Sequence, residues 1–230
     1  MDAEKAAIYH FTDGSEARPI VVRKEINRIM DFACKAGFHE TDVFLDTSLR
    51  KCRQVKRQEF EEKISSYKAL FLKDFYHLRK NTDICMSELV RLSREGIKVF
   101  TLEDGAFKFI DAPFSQNLNA AAYYCGLGIT EHSSQLQFDI MDSFTKRKTG
   151  WRLTGWYADL KGNKTDGNQK ELERLVREIG RHDIVLVQSF GHIHWRTSRF
   201  CKIRHLLKKG IYSMHEEIFL PYEEGGKQDE

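Results

Sequence analysis

A short pattern occurs twice in this chain, and the repetition limits what the chain can fold into more than its length does. Residues 184–196 read IVLVQSFGHIHWR, and residues 69–81 read ALFLKDFYHLRKN. Without a gap, Phe75 falls on Phe190, His77 on His192 and Leu78 on Ile193, a shift of 192 − 77 = 115 residues. Each stretch is an apolar run, a polar turn and the start of a helical pattern. Such a run is expected to be a buried parallel strand that delivers side chains to a site at its C-terminal edge. Repetition over this distance predicts one supersecondary unit written twice.

The elements around the two stretches follow one order. In the first half a strand over 6–11 ends in Thr12-Asp13-Gly14-Ser15, and Pro19 opens a helix with Ile26, Ile29, Met30 and Ala33 at helical spacing before Gly37. A strand within 38–46, a basic loop, a helix near 59–65 and the buried strand 69–73 follow. A helix over 82–94 turns Ile84, Met86, Leu89, Val90 and Leu92 inward, and strands 98–102 and 107–110 flank an Asp104-Gly105 turn. The second half gives a strand over 121–127 and a helix capped by Ser133 or Ser134, with Leu136, Phe138, Ile140, Met141 and Phe144. Then come a strand over 151–157, an exposed loop over 160–168, a helix closing at Gly180, the strand 184–189, a helix to Lys209 and a strand over 211–214. Gly37, Gly96, Gly150, Gly180 and Gly210 are expected as left-handed helix stops. The fold class is α/β, two tandem units over 1–112 and 118–220, each a mainly parallel sheet flanked by helices, with 221–230 as a frayed acidic tail.

Composition removes several function classes. No apolar run reaches membrane-span length, and the opening MDAEKAAIYHF lacks the pattern of a secretory signal. Five dispersed cysteines without a CxxC point to reduced thiols in a cytoplasm, with neither a disulfide frame nor a zinc site. His192 and His194, with Cys201 or His205, lack an enforced coordination geometry, so no metal and no cofactor is expected. A net charge of +3 does not by itself announce a nucleic-acid partner.

The order and wording resemble the catalytic domain of serine recombinases, the resolvase/invertase family, over roughly 6–109 and 121–216. The second half carries the closer wording, in AAYYCGLGITEHSSQLQFDIMDSFTKRKTGW and DIVLVQSFGHIHWRT. The resemblance implies an opening strand Y-x-R-x-S, whose serine attacks DNA and whose arginine holds phosphate, and a later D-R-L-S-R between a buried strand and a helix. Tyr9 to Asp13 places Phe11 at the arginine and Asp13 at the nucleophile; Tyr124 to Gly128 places Gly126 and Gly128 there. The later signature becomes Tyr76-His77-Leu78-Arg79-Lys80 and Gly191-His192-Ile193-His194-Trp195. Asp46, Arg57 and Asp159 still suit the pattern, while Gln169 stands where a second Arg57 is expected.

Strand exchange needs a hydroxyl to attack a phosphodiester and guanidinium groups to clamp its oxygens. Losing one such electrostatic group costs about 10²–10³ in rate, and here nucleophile and clamp are replaced together in both halves. The degenerate positions Phe11, Asp13, His77, Lys80, Gly126, Gly128, His192 and Trp195 therefore leave no catalytic residue for that reaction. Thr12 or Ser15 serves as a hydroxyl only if the opening strand shifts. His77 and His192 either face phosphate or fill a turn, and Arg50, Lys51, Arg53, Lys56, Arg57, Arg79 and Lys80 either meet phosphates or line a solvated loop.

The resulting expectation is a catalytically inactive recombinase-like protein, an internal pseudo-dimer that binds an active recombinase, DNA or another cytoplasmic protein. DNA binding is expected to be weak and nonspecific and to fall on the first half, with no membrane partner. The alternatives are an enzyme using a repurposed strand-end site on a nucleotide or phosphate ligand, and residual strand cleavage.

Overall fold

The computed structural model describes residues 4–13, 18–48, 55–103, 105–107, 110–111, 117–125, 131–159 and 169–222. It divides into two compact units, one of Met1–Lys80 with Ile84–Lys108 and Glu223–Glu230, the other of Asn81–Asp83 with Phe109–Tyr222. The elements of the first half are β1 (Lys5–Asp13), α1 (Pro19–Lys35), β2 (Glu40–Ser48), α2 (Val55–Glu62), β3 (Ala69–Leu72), α3 (Thr82–Arg94), β4 (Lys98–Thr101) and β5 (Gly105–Phe107). The second half has β6 (Ile110–Asp111), β7 (Leu118–Cys125), α4 (Glu131–Arg147), β8 (Trp151–Asp159), α5 (Lys170–Glu178), β9 (Ile184–Val187), α6 (Thr197–Leu207), β10 (Gly210–Ser213) and β11 (Ile218–Leu220).

The first sheet has the order β2-β1-β3-β4-β5, and the second β8-β7-β9-β10-β11 with β6 added at the edge. In each, the first three pairings are parallel and the last of the repeated strands is antiparallel. Both halves are thus α/β units with mainly parallel sheets and flanking helices. Every residue of β3 and of β9 is buried, as expected of central strands covered on both faces. One face of the first sheet packs Ala6, Ile8, Ala69 and Phe71 against Ile29 and Ala33 of α1. Phe71 stacks on Phe100 at 4.7 Å, and a fully buried Phe of this kind contributes about 1.5–3 kcal/mol. The second sheet buries Ala120, Ala122, Ile184 and Leu186 under Met141 and Phe144 of α4, with Trp151 and Tyr212.

Several expected details fall differently. On α1 the buried stripe is Val22, Ile29 and Ala33, and Met30, about 100° around the helix from Ile29, is exposed. On α3 Cys85 is buried while Ile84 is 55% exposed, and on α4 Leu136 and Ile140 face outward. The helix expected near 59–65 starts earlier, at Val55, and a separate single turn of 3₁₀ helix follows over Ile64–Ser66. α4 begins at Glu131, ahead of the serines expected to cap it. The strand expected over 107–110 divides: Gly105–Phe107 pairs with β4, whereas Ile110–Asp111 pairs with β11 and belongs to the second unit. The first unit thus ends short of the boundary expected at 112. β11 was not anticipated from sequence; a turn with Glu217 at φ 52° folds it back on β10.

Gly37, Gly96 and Gly150 do adopt left-handed φ after their helices. Gly180 does not, and the left-handed stop of α6 is Lys208 at φ 49°. Gly210 serves a different need: a Cβ there would stand 2.1 Å from Cζ of Phe219 on the neighbouring β11. Asp104 and the tail 223–230 lie outside the described residues, as does the loop 160–168. Gly210→Ala is expected to cost about 1–3 kcal/mol by overpacking against Phe219. Gly210→Ala/Phe219→Ala in urea unfolding should then cost less than the sum of the two single changes, the coupling that contact predicts.

Candidate functional site

In both units the C-terminal strand ends bring polar side chains together, and one arrangement recurs atom for atom. Tyr9 on β1 donates its hydroxyl to Oδ2 of Asp46 at 3.0 Å, and Tyr123 on β7 donates to Oδ2 of Asp159 at 3.0 Å. Asp46 also accepts the backbone N–H groups of Lys56 and Arg57 at 3.0 Å each. Asp159 accepts those of Glu171 and Leu172 at 3.0 and 3.1 Å. The aspartate at the end of the second strand thus satisfies first-turn donors of the following helix, which have no partner within it. Burial pushes both phenols well above their ordinary range, aided by the Asp46 carboxylate at Tyr9 and by Cys125 and then Asp159 at Tyr123.

This geometry fixes the correspondence between units and corrects two expected pairings. Tyr9 matches Tyr123, not Tyr124, and the sheet register agrees: Ala6 stands opposite Ala69 as Ala120 stands opposite Ile184. The place of Phe11 is therefore held by Cys125, not Gly126, and that of Asp13 by Leu127, not Gly128. Arg57 corresponds to Leu172, not Gln169, whose amide lies 3.4 Å from the Tyr123 hydroxyl and 3.3 Å from the Ile193 carbonyl. Sequence alignment slipped by one residue because Tyr123 and Tyr124 are adjacent and both fit.

Arg57 is buried, with its guanidinium over the rings of Tyr9 and Phe60 at 5.2 and 5.3 Å. It pairs with Glu61 at 2.8 Å and with Glu88 on α3, and Glu88 also takes Arg79 at 3.0 Å and Arg91 at 2.9 Å. Burial pushes the Glu88 carboxyl up, but the surrounding arginines outweigh it and hold the group below its ordinary range. The corresponding positions of the second unit are Leu172, Val176 and Ile203; Ile203 follows Thr197 by 203 − 197 = 6 residues as Glu88 follows Thr82 by 88 − 82 = 6.

A second cluster lies on the α1 side of β1. The buried ring of His10 stacks on that of His77 at 4.7 Å, and His77 Nδ1 lies 2.9 Å from Oδ1 of Asp74. Nε2 of His10 is 3.3 Å from Oε2 of Glu25, outside hydrogen-bond geometry, so neither ring nitrogen is paired. Glu25 takes Lys73 Nζ at 2.5 Å. In the second unit Tyr124 stacks on His192 at 5.0 Å, and Ser189 Oγ lies 2.9 Å from His192 Nδ1. Gln137 and Gln188 hold the places of Glu25 and Lys73. The same framework is therefore charged in one unit and neutral in the other. Chemically, the charged version can take up and pass on a proton.

The remaining expected residues are placed as follows. Thr12 is 1% exposed, and its hydroxyl has no hydrogen-bond partner among the described residues. Phe11 lies under Lys80 Nζ at 5.3 Å, which also sits 5.4 Å from the Tyr76 ring. Lys56 pairs with Glu59 at 2.5 Å. Trp195 is 38% exposed, with the Arg196 guanidinium 4.7 Å over its ring. Arg50, Lys51, Arg53, Ser15, Gly126 and Gly128, and the side chain of Asp13, lie outside the described residues. His10, Glu25, Lys73 and Asp74 were missed in the sequence; the signal was the polar residue three before each repeated histidine.

No known protein family matches the chain, and no curated protein matches it in sequence. Among solved structures, the N-terminal catalytic domain of TP901-1 integrase aligns at 15% identity and a TM-score of 0.36, over 63% of this chain and 98% of that one. LsrB from Clostridium saccharobutylicum in complex with AI-2 aligns at 12% identity and a TM-score of 0.27, over 91% and 70%. Among the described residues no helix is long and apolar enough to cross a membrane.

Two outcomes test the clusters. Burial, then His77, lowers the pKa of His10 from 6.5 to about 4, so between these values the unfolded chain binds the extra proton. Stability should fall as pH drops through that window, by up to about 3 kcal/mol from this group. His10→Tyr, the residue of the second unit, should remove that share of the slope in melts between pH 7 and 4.5. Separately, Glu88→Ala removes one of the two carboxylates that neutralise buried Arg57 and should cost on the order of 3 kcal/mol, whereas Arg57→Leu/Glu88→Ile should restore most of it in urea titrations.

Proposed function

We propose that this protein is a recombinase-like protein of two degenerate copies that does not exchange DNA strands and acts by binding. The observation that carries the reading is the state of Arg57, the one arginine kept from the family pattern. It is buried, and Glu61 and Glu88 both pair with its Nη2, while Nε and Nη1 have no hydrogen-bond partner among the described residues. A clamp for phosphate must present its donors to the incoming anion, and here a carboxylate stands in that place. Phe11 and Cys125 at the other clamp position cannot supply the bidentate donor, and Thr12 is sealed from solvent. The partner is an active recombinase, DNA or another protein.

A second reading has one observation in its favour. The His10–His77–Asp74–Glu25 arrangement of the first unit is an acid–base set at strand ends, where α/β sheets bind ligands. It fits a repurposed site for a nucleotide or phosphate ligand.

The purified protein, incubated with recombination-site duplexes and denatured, should show no covalent protein–DNA adduct on gels or by mass spectrometry. A phosphoserine or phosphothreonine link to DNA, above all at Thr12 or Ser15, would overturn the proposal.

A further inference from the structure

The two units differ most in charge on the helix that follows the repeated turn. α3 carries Asp83 and Glu88 against Arg91 and Arg94, so its charges balance. The equivalent stretch of the second unit, Thr197 to Lys209, carries Arg199, Lys202, Arg204, Lys208 and Lys209 and no carboxylate. No Asp or Glu occurs anywhere between Asp183 and Glu216. This local excess is larger than the net charge of +3 of the whole chain.

The cations are also ordered in space. Arg196, Arg199 and Lys202 are spaced three apart, on one side of α6, and all are exposed, as is Lys208 beyond the helix end. Arg204 is buried and donates to the Pro221 carbonyl, so it belongs to the fold. On the neighbouring α5, Glu171 and Glu178 are both taken by Arg174, at 2.6 and 3.5 Å. At the head of the stripe stands Trp195, its ring covered by the Arg196 guanidinium and stacked on His194 at 6.3 Å.

The first unit provides the internal comparison. With the same order of strands and helices, it places Asn81, Ile84, Ser87 and Ser93 where the second has Arg196, Arg199, Lys202 and Lys208. Since neutral residues serve at these positions of the same framework, the fold does not require the cations. Like charges along one helix face repel, and a stripe of them is a cost unless a polyanion meets it.

We propose that the exposed face at the start of α6, carrying Arg196, Arg199 and Lys202, binds the phosphate backbone of nucleic acid, with Trp195 flanking the contact. It rests on the reading that the chain acts by binding, and it names the partner class and the surface. Spaced guanidinium and ammonium groups beside an exposed indole match a chain of phosphates interleaved with bases. Contacts of this kind read no sequence, so binding should be alike on all duplexes of one length.

The test is fluorescence anisotropy of a short labelled DNA duplex of mixed sequence, titrated with the whole protein at several salt concentrations. The wild-type chain should bind in the range of about 10⁻⁶–10⁻⁴ M at physiological salt and weaken steeply as salt rises. Arg196→Asn/Arg199→Ser/Lys202→Ser changes exposed side chains only and should keep the wild-type melting temperature. It should lose at least about tenfold in affinity and flatten the salt slope by about 3, roughly 0.9 for each lost phosphate contact. Arg53→Ala/Lys56→Ala, in the first unit, should alter the slope less. Wild-type affinity and slope in the α6 variant would overturn the proposal. So would tighter binding to phosphatidylserine vesicles than to DNA at matched ionic strength. The wild-type salt slope is read independently of any variant, and a value shallower than about −2 would also sink the idea, since three phosphate contacts demand more. A covalent adduct in the trapping assay, by contrast, would end the non-catalytic reading and leave α6 as a DNA contact.

Discussion

One carboxylate holds each unit together at the place where strands, helix and turn converge. Asp46 and Asp159 each gather a tyrosine hydroxyl from the neighbouring strand and two backbone donors from the helix that follows. A buried carboxylate costs several kcal/mol to desolvate unless its lone pairs are used. Here three donors use them, and each bond to a charged acceptor contributes roughly 1.5–3 kcal/mol. The constraint reaches further than the bonds themselves. It fixes where α2 and α5 begin, which way the tyrosine face of the sheet points, and which residue can occupy the next position on the helix. Arg57 and Leu172 are what the two units put there, and the rest of their surroundings follows from that choice.

With Arg57 the surroundings must be ionic, and Glu61, Glu88, Arg79 and Arg91 supply the matching charges. With Leu172 they can be apolar, and Val176 and Ile203 hold the corresponding positions. The two solutions show that this part of the framework tolerates either kind of packing, as buried ion pairs exchanged for hydrophobic residues often do. The other face behaves alike. Glu25, Lys73, Asp74 and His10 in one unit become Gln137, Gln188, Ser189 and Tyr124 in the other, while the histidine on the turn stays. Sizes and stacking are kept where charge is not.

These facts explain what the sequence made legible. The buried strands 69–72 and 184–187 were visible as apolar runs, because both of their faces are covered and no alternation interrupts them. The helices were visible through their spacing, but Met30, Ile84 and Ile140 face outward because Ile29, Cys85 and Met141, one position away, take the buried places, and Leu136 is exposed as well. β6 and β11 escaped because two- and three-residue strands carry no period to detect. At the site, Asp46 and Asp159 were noticed as acidic residues in the right place, but their work as acceptors for a distant helix start depends on a loop that closes in three dimensions. His10 was invisible for a plainer reason: an isolated histidine on an apolar strand has no signature until its partner on the turn is brought against it.

Charge is where the units part company, and it does so at two depths. Around the Arg57/Leu172 and His77/His192 positions the first unit carries charged groups where the second has neutral ones; on the helix after the repeated turn the assignment reverses, with balanced charges on α3 and cations without a carboxylate on α6. Drift of surface residues would scatter such changes over every exposed position. Instead, four positions that are Asn, Ile, Ser and Ser in one unit are Arg, Arg, Lys and Lys in the other, and the first three recur at a spacing of three residues at the start of a single helix. Meanwhile the buried positions of the same two helices, such as Leu92 and Leu207, stay apolar. A framework that conserves its carboxylate anchor and its core while concentrating one sign of charge on one exposed face has separated what folds it from what it presents to a partner.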